Sequence, residues 1–349
     1  MKSLYIAAAV LTALALAAGL CARRCTHYWQ GPLRRTRRAG FREKDACLPD
    51  GGILHYAEGP DSGPALLLIH GQTGCWEDYC SVLPQLSRHW HVFAVDCFGH
   101  GRSSHCPDCY ALRPHGDALI WFVQNVIRSP AVVSGHSSGG LLAAYVAAYG
   151  GPMVRGAVLE DPPVFSTEPD FFPRSFACQD TYTPLHQYLQ EQPDICWEAY
   201  YLRRCLWGRL YLPPGAAEKL SHYAQRYARR HPGRPVQFFF LPGSLNGMFL
   251  HLPRYDPAFG EMFYNYTWHS GIPHKRLMAD IRIPTVFLHC KDAWTEDGTL
   301  LAAASDDQAR RAAALIRTCR LVELSSPHDI HQAHPKKFLQ ALAELEAML

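Results

Sequence analysis

Charge is scarce in this chain. Asp, Glu, Lys and Arg make up 19% of its 349 residues, and beyond residue 44 no dense Lys/Arg run with interleaved aromatics occurs. That excludes a surface tracking nucleic-acid phosphates, so no nucleic-acid partner is expected. Long apolar runs are lacking apart from one near the N-terminus, which excludes a multi-pass transporter. Internal repeats and low-complexity tracts are absent as well, which argues against repeat and collagen-like architectures. The 13 cysteines are odd in number and scattered from Cys21 to Cys319 without the spacing of a small disulfide scaffold, a pattern that fits a reducing compartment. Against these absences, 48% of the residues are hydrophobic. That is enough for a large core, and the length suits one α/β domain carrying an insertion.

The formal charge of +3 sums two unlike parts: nine Lys and Arg against Glu43 alone in residues 1–44, and 25 basic against 30 acidic side chains beyond. From Ser3 to Ala22 there is no charge, and about 20 residues in a helix cover the roughly 30 Å of a bilayer core. A single-pass transmembrane anchor is therefore expected over residues 1–22. The Arg residues that follow it place the body on the cytoplasmic side by the positive-inside rule. The alternative is a secreted protein, because Ala13-Leu14-Ala15 and Ala17-Ala18-Gly19 have the small-x-small form of a signal-peptide cleavage site. Residues 23–50 are Arg-rich and poorly periodic and read as a basic linker.

Beyond it, short apolar runs alternate with helical patterns. Strands are expected at 64–70, 91–96, 131–134, 154–159, 284–289 and 320–324, and helices at about 76–87, 114–128, 138–149, 306–316 and from Pro335 onward. This alternation predicts a mostly parallel sheet flanked by helices. It stops at Asp161: residues 162–275 lose the strands and hold more than half of the chain's 8 Trp, 17 Tyr and 16 Phe. They read as a helical insertion with a large apolar inner face, most of whose rings form its own core. The body then comprises residues 51–161 and 276–349.

The most informative segment is Gly135-His136-Ser137-Ser138-Gly139, directly after an expected strand and before an expected helix. G-x-S-x-G in that setting is a nucleophile elbow, whose glycines permit a strained turn that pushes the Ser137 hydroxyl into the open. A serine nucleophile needs a base and an orienting acid on later strand-end loops. Asp292 follows the strand 284–289, and His328 follows the strand 320–324. Asp161, beside Glu160 at the end of the strand 154–159, is the alternative acid, and His289, His331 and His334 are decoys with surface or structural readings. We take Ser137, Asp292 and His328 as the catalytic set. Cys106-Pro107-Asp108-Cys109 has C-x-x-C spacing, but no second pair follows, so no metal site is assigned.

The core resembles the α/β-hydrolase superfamily, in the branch with a helical cap after the sixth strand. Four segments carry the likeness: His70-Gly71-Gln72, the run Asp96-Cys97-Phe98-Gly99-His100-Gly101-Arg102-Ser103, the elbow 135–139, and His328 seven residues before Pro335. The resemblance implies an oxyanion hole made of the backbone N–H groups of Gln72 and Ser138, and no cofactor. Epoxide hydrolases and haloalkane dehalogenases of similar layout carry Asp at the elbow, and serine there points to acyl transfer. The expected function is a serine hydrolase cleaving a carboxylic ester of a small apolar or amphiphilic molecule through an acyl-enzyme. The alternatives are the same triad acting on an amide, a carbon–carbon bond or a peracid, and a non-catalytic hydrolase-like binding protein.

Overall fold

A computed structural model describes residues 2–349, the side chains of residues 2–4 and 6–10 excepted. Eight strands form one sheet: β1 (Arg42–Cys47), β2 (Ile53–Glu58), β3 (Ala65–Ile69), β4 (His91–Val95), β5 (Ala131–His136), β6 (Val154–Glu160), β7 (Thr285–Cys290) and β8 (Cys319–Leu324). Their order is β1-β2-β4-β3-β5-β6-β7-β8. The pairs β1–β2 and β2–β4 are antiparallel and the remaining five parallel. All six expected strands form within two residues of their predicted limits. The central ones are buried on both faces because alternate residues serve opposite layers: Ala65, Leu67 and Ile69 of β3 enter one core, and Leu66 and Leu68 enter the other.

Two expectations fail near the N-terminus. Residues 23–50, read as a linker, contain the helix Gln30–Arg38 and all of β1. β1 has the sequence Arg-Glu-Lys-Asp-Ala-Cys with five of its six residues exposed, so it is an edge strand with almost no apolar pattern to read. Its register is supported by the Lys44–Glu58 ion pair at 2.6 Å. The single-pass membrane expectation is also overturned, since among the described residues no helix is long and apolar enough to cross a membrane. Most side chains of the first half of the expected span 3–22 lie outside the described residues. The helix Lys2–Thr26 runs past the apolar stretch into Arg23 and Arg24. Its end is docked on the protein, where the Asn246 side-chain amide donates to Cys25 O at 3.1 Å.

Between β6 and β7 the described residues hold helices and no strand, among them Thr183–Glu191, Trp197–Arg204, Ala216–Arg230 and Pro257–Tyr264. The rings of this insertion divide between two cores. Tyr201, Phe238 and Phe249 pack in a cluster of its own, whereas Phe172, Phe259, Phe263 and Trp268 join the core beneath. Each ring buried there contributes about 1.5–3 kcal/mol, so the insertion is anchored to the body by its own aromatics. Tyr255, between the insertion's helices, forms a β-bridge with His100 of the body.

Candidate active site

The elbow forms as the motif requires. β5 ends at His136 and the next helix starts at Ser138, leaving Ser137 between them with φ 55° and ψ −123°. A non-glycine residue in such a region costs on the order of 1–3 kcal/mol and is retained where the surroundings enforce it. Here they do: the Ser137 N–H donates to Glu160 O at 2.9 Å, tying the turn to the end of β6. A Cβ at Gly135 would lie 2.0 Å from Gly139 O, and one at Gly139 would lie 2.3 Å from His70 O. Neither position accepts a side chain, and the second clash shows how closely the elbow abuts the His70-Gly71 turn. The helix Ser138–Tyr149 leaves its first N–H groups without intrahelical acceptors and brings its positive dipole end beside Ser137.

His328 stands at the same end of the sheet, but its carboxylate partner is Asp161 and not Asp292. His328 Nδ1 donates to Asp161 Oδ2 at 2.7 Å. Asp292 Oδ2 instead accepts from Asp306 N at 2.9 Å, and Asp292 N donates to Asp306 Oδ1 at 3.0 Å. The reason lies in the two strand ends. At Asp161 the chain takes φ 45°, and Cys290 N donates to Asp161 Oδ1 at 3.0 Å. That bond anchors the Asp161 carboxylate beside the end of β7, while Asp292 pairs with the start of the helix Asp306–Leu315. Asp161 is 1% exposed. Burial alone would raise its pKa, but its contacts with His289 and His328 outweigh that and hold it below the ordinary carboxylate range. Burial likewise disfavours a charged His328, yet the hydrogen bond and charge of Asp161 prevail and its pKa lies above the ordinary imidazole value. The His328 side chain is 40% exposed, and its Nε2 makes no hydrogen bond among the described residues.

Two histidines read as decoys prove to be buried structural members. His331 Nδ1 donates to Glu160 Oε1 at 2.9 Å, and His331 N donates to the same oxygen at 2.8 Å, with both side chains buried. His289 lies between Asp161 and Asp306. His136, inside the elbow, packs its ring 4.4 Å from that of His328 and donates from Nε2 to His328 O at 3.2 Å. Burial and the neighbouring His328 lower its pKa to about 4, so it is neutral.

The His-Gly-Gln turn is held by neutral histidines too. His70 Nε2 accepts from Cys97 N at 2.8 Å and its Nδ1 donates to Gly71 O at 2.7 Å. His100 Nε2 accepts from Thr73 N at 3.1 Å and its Nδ1 donates to Phe98 O at 2.9 Å. Both pKa values are lowered, by burial first, which fits the acceptor role of each Nε2. Asp96 fastens the 96–103 run by accepting from Trp76 N and Arg102 N at 2.9 and 2.8 Å. At Gly71 a Cβ would lie 2.9 Å from His136 Nδ1 and 3.0 Å from Ser137 Cβ. The Gln72 backbone N–H has no backbone acceptor among the described residues, and its side chain donates to Tyr255 OH of the insertion at 2.8 Å.

Comparison with known proteins agrees with this fold. A family model described as the alpha/beta hydrolase fold matches residues 64–184. Over those residues the chain is similar to that family, and its eight-stranded, mostly parallel sheet flanked by helices has the corresponding fold. The chain is 37% identical over 90 residues to the magnesium-chelatase 30 kDa subunit of Rhodobacter capsulatus, covering 26% of this chain and 32% of that protein. It is 36% identical over 115 residues to lipase LipV of Mycobacterium tuberculosis, covering 32% and 42% respectively. These matches thus span only about a third to two fifths of each relative's length. A hydrolase from Pseudomonas aeruginosa PA01 superposes with a TM-score of 0.60 at 22% identity over 88% of this chain and 98% of that one, a likeness of fold.

A cavity of about 660 Å3 opens beside the elbow. Gly71, Gln72 and His136 line one side of it; Trp197, Tyr201 and Phe249 of the insertion and Tyr28 and Trp29 of the N-terminal segment line the others. At its edge Cys75 Sγ, Glu77 and His251 Nδ1 come close enough together to hold a metal ion. The Arg254 guanidinium fills that position, 2.6 Å from Glu77 Oε2 and 3.1 Å from His251 Nδ1, and serves as a cation bridging insertion and body. Cys106 precedes and Cys109 ends the short 3-10 turn Pro107–Cys109, both as free thiols.

Proposed function

We propose that this protein is a serine hydrolase that cleaves a carboxylic ester of an apolar or amphiphilic small molecule through an acyl-enzyme. The observation that carries the reading is the strained Ser137 on its elbow, at the same sheet end as a His328–Asp161 pair joined at 2.7 Å. Ser137 Oγ attacks the ester carbonyl and gives its proton to His328 Nε2. Asp161, bonded to Nδ1, keeps the reactive tautomer and stabilises the imidazolium. The N–H groups of Gln72 and Ser138 bind the oxyanion, each worth roughly 3 kcal/mol. Collapse of the tetrahedral species expels the alcohol, which takes the proton from His328, and water repeats the sequence to release the acid. Position 137 carries no carboxylate, so an alkyl-ester intermediate of the kind that opens epoxides has no nucleophile here. Trp197, Tyr201 and Phe249 in the cavity lining offer an apolar surface to the acyl group, beside the charged Glu77, Asp78, Asp180 and Arg254. The similarity to lipase LipV over 32% of this chain points to the same class of bond.

The test is fluorophosphonate labelling with mapping of the modified residue, followed by a panel of ester, anilide and diketone substrates. Labelling at Ser137 with preferential ester turnover is the expected result. A folded protein that is not labelled would refute the enzyme reading, and preference for anilide or diketone would refute the ester.

A further inference from the structure

The acid expected from sequence, Asp292, is joined to the His328–Asp161 pair through two further side chains. Asp306 exchanges hydrogen bonds with Asp292. Its Oδ1 also lies 2.9 Å from His289 Nε2, and His289 Nδ1 lies 3.4 Å from Asp161 Oδ1. We propose that His289, held by Asp306, is a positioning residue: an imidazolium locked against the far oxygen of Asp161, fixing that carboxylate and limiting how much of its charge reaches His328. This rests on the assignment of Ser137, Asp161 and His328 made above.

The argument is geometric. His289 is 0% exposed; its Nε2 hydrogen-bonds Asp306 Oδ1 at 2.9 Å, and its Nδ1 faces Asp161 Oδ1 at 3.4 Å, an ion-pair distance without a hydrogen bond. A neutral imidazole carries one N–H and one lone pair. With the proton on Nε2, the Nδ1 lone pair would face Asp161; with the proton on Nδ1, the Nε2 lone pair would face Asp306 at 2.9 Å. Only the cation offers a proton to both, and a buried cation between two carboxylates is compensated where a lone one would not be. The wider surroundings are mixed in sign, with one further carboxylate favouring the cation and two donors drawing on the carboxylates. Glu323 stands opposite His289 in the β7–β8 register, Arg310 contacts Asp306 and Glu323 from the helix Asp306–Leu315, and Cys290 donates its backbone N–H to Asp161. The flanking carboxylates raise the His289 pKa despite burial.

The consequence falls on the base. Asp161 Oδ2 accepts from His328, while Oδ1 accepts from Cys290 N and faces His289 Nδ1 at 3.4 Å. Were His289 neutral, the whole carboxylate charge would act on His328, making it more basic and leaving less of it free to accept the Ser137 proton near neutrality. The experiment has two readouts. In full-length protein with 15N-labelled histidine, assigned against His289→Gln, both His289 ring nitrogens are expected to be protonated at pH 7. In Asp306→Asn and in His289→Gln the acid limb of kcat/KM should move upward by about half to one pH unit, with the high-pH plateau little changed, and Asp306→Glu should restore it. A neutral His289, or a limb unmoved in both variants, would overturn the inference while Ser137 labelling persists. Loss of labelling in the unmodified protein would overturn the underlying reading instead.

Discussion

Replacing Asp161 by Asn removes one charge and changes no volume, and the structure dictates what the new amide must do. Cys290 N offers only a proton to position 161, at 3.0 Å, so the Asn carbonyl oxygen has to turn toward it. The NH2 group is then left against His328 Nδ1, where Asp161 now accepts at 2.7 Å. A donor facing Nδ1 makes that nitrogen the acceptor and moves the ring proton to Nε2. His328 can then no longer take the Ser137 proton. In serine proteases the same Asp-to-Asn change produces the wrong tautomer and lowers kcat by about 10⁴-fold, which is roughly 5.5 kcal/mol of transition-state stabilisation. A loss of about 10³- to 10⁴-fold in kcat is expected here, with melting temperature recorded alongside to show that the variant folds. Asp292→Asn should stay within about threefold of the parent, since its carboxylate caps Asp306 N at 2.9 Å and does not contact His328. Steady-state hydrolysis of a p-nitrophenyl ester measures both. Full activity in Asp161→Asn together with loss in Asp292→Asn would refute the assignment.

Three further outcomes follow from the same geometry. Gly71→Ala should cut ester turnover by about 100-fold or more, because its Cβ would sit 3.0 Å from Ser137 Cβ, and misplacing the nucleophile by about 1 Å costs that much; unchanged kcat would contradict the packing. Since Asp161 raises the His328 pKa and the neutral ring is the base, kcat/KM should climb with pH through a limb above about 6.5. By linkage, the stability this pair contributes through His328 is full below the unfolded imidazole value and declines as pH rises through the folded one, which urea titrations at several pH values would measure. Arg254→Met leaves Glu77 beside Cys75 without its 2.6 Å cation, so a stability loss of about 1–3 kcal/mol is expected by chemical denaturation.

The parallel half of the sheet was legible because a strand buried on both faces is an uninterrupted apolar run, as Ala65–Ile69 and Ala131–Val133 are. β1 was not, because an edge strand can be charged throughout, and its pairing with β2 is a long-range fact. The placement of Ser137 and His328 could be read because it follows from local order: strand, turn, helix, and the loop after the last strand. The carboxylate that pairs with His328 could not. Two strand ends each offered a carboxylate, and the choice depends on the φ of 45° at Asp161 and on the Cys290 N–H bond. Neither of these has a signature in the chain. The N-terminal span failed for another reason: among the described residues no helix is long and apolar enough to cross a membrane, and the helix runs on into Arg23 and Arg24.

Glu160 and Asp161 are adjacent, yet each holds a different histidine, and the end of β6 explains why. Glu160 is the last extended residue of β6, where side chains alternate between faces, and the chain turns out of the strand at Asp161 with φ 45°, so the two carboxylates diverge toward different partners. The segment after β8 answers with His328 and His331, three residues apart across the entry to the short helix Ile330–Ala333. His328 meets Asp161 at the partly open side, and His331 meets Glu160 where both are buried. The second pair therefore constrains the first. Glu160 binds both the ring and the backbone N–H of His331, and its own carbonyl accepts the Ser137 N–H. One residue thus ties both the elbow and the loop carrying His328. Glu160→Gln keeps the backbone contact to Ser137 but can no longer charge-pair His331, so it should loosen the loop of His328 while leaving the elbow in place. The expected signature is a fall in kcat with fluorophosphonate labelling still confined to Ser137. If kcat is unchanged, the buried pair has no part in holding the base.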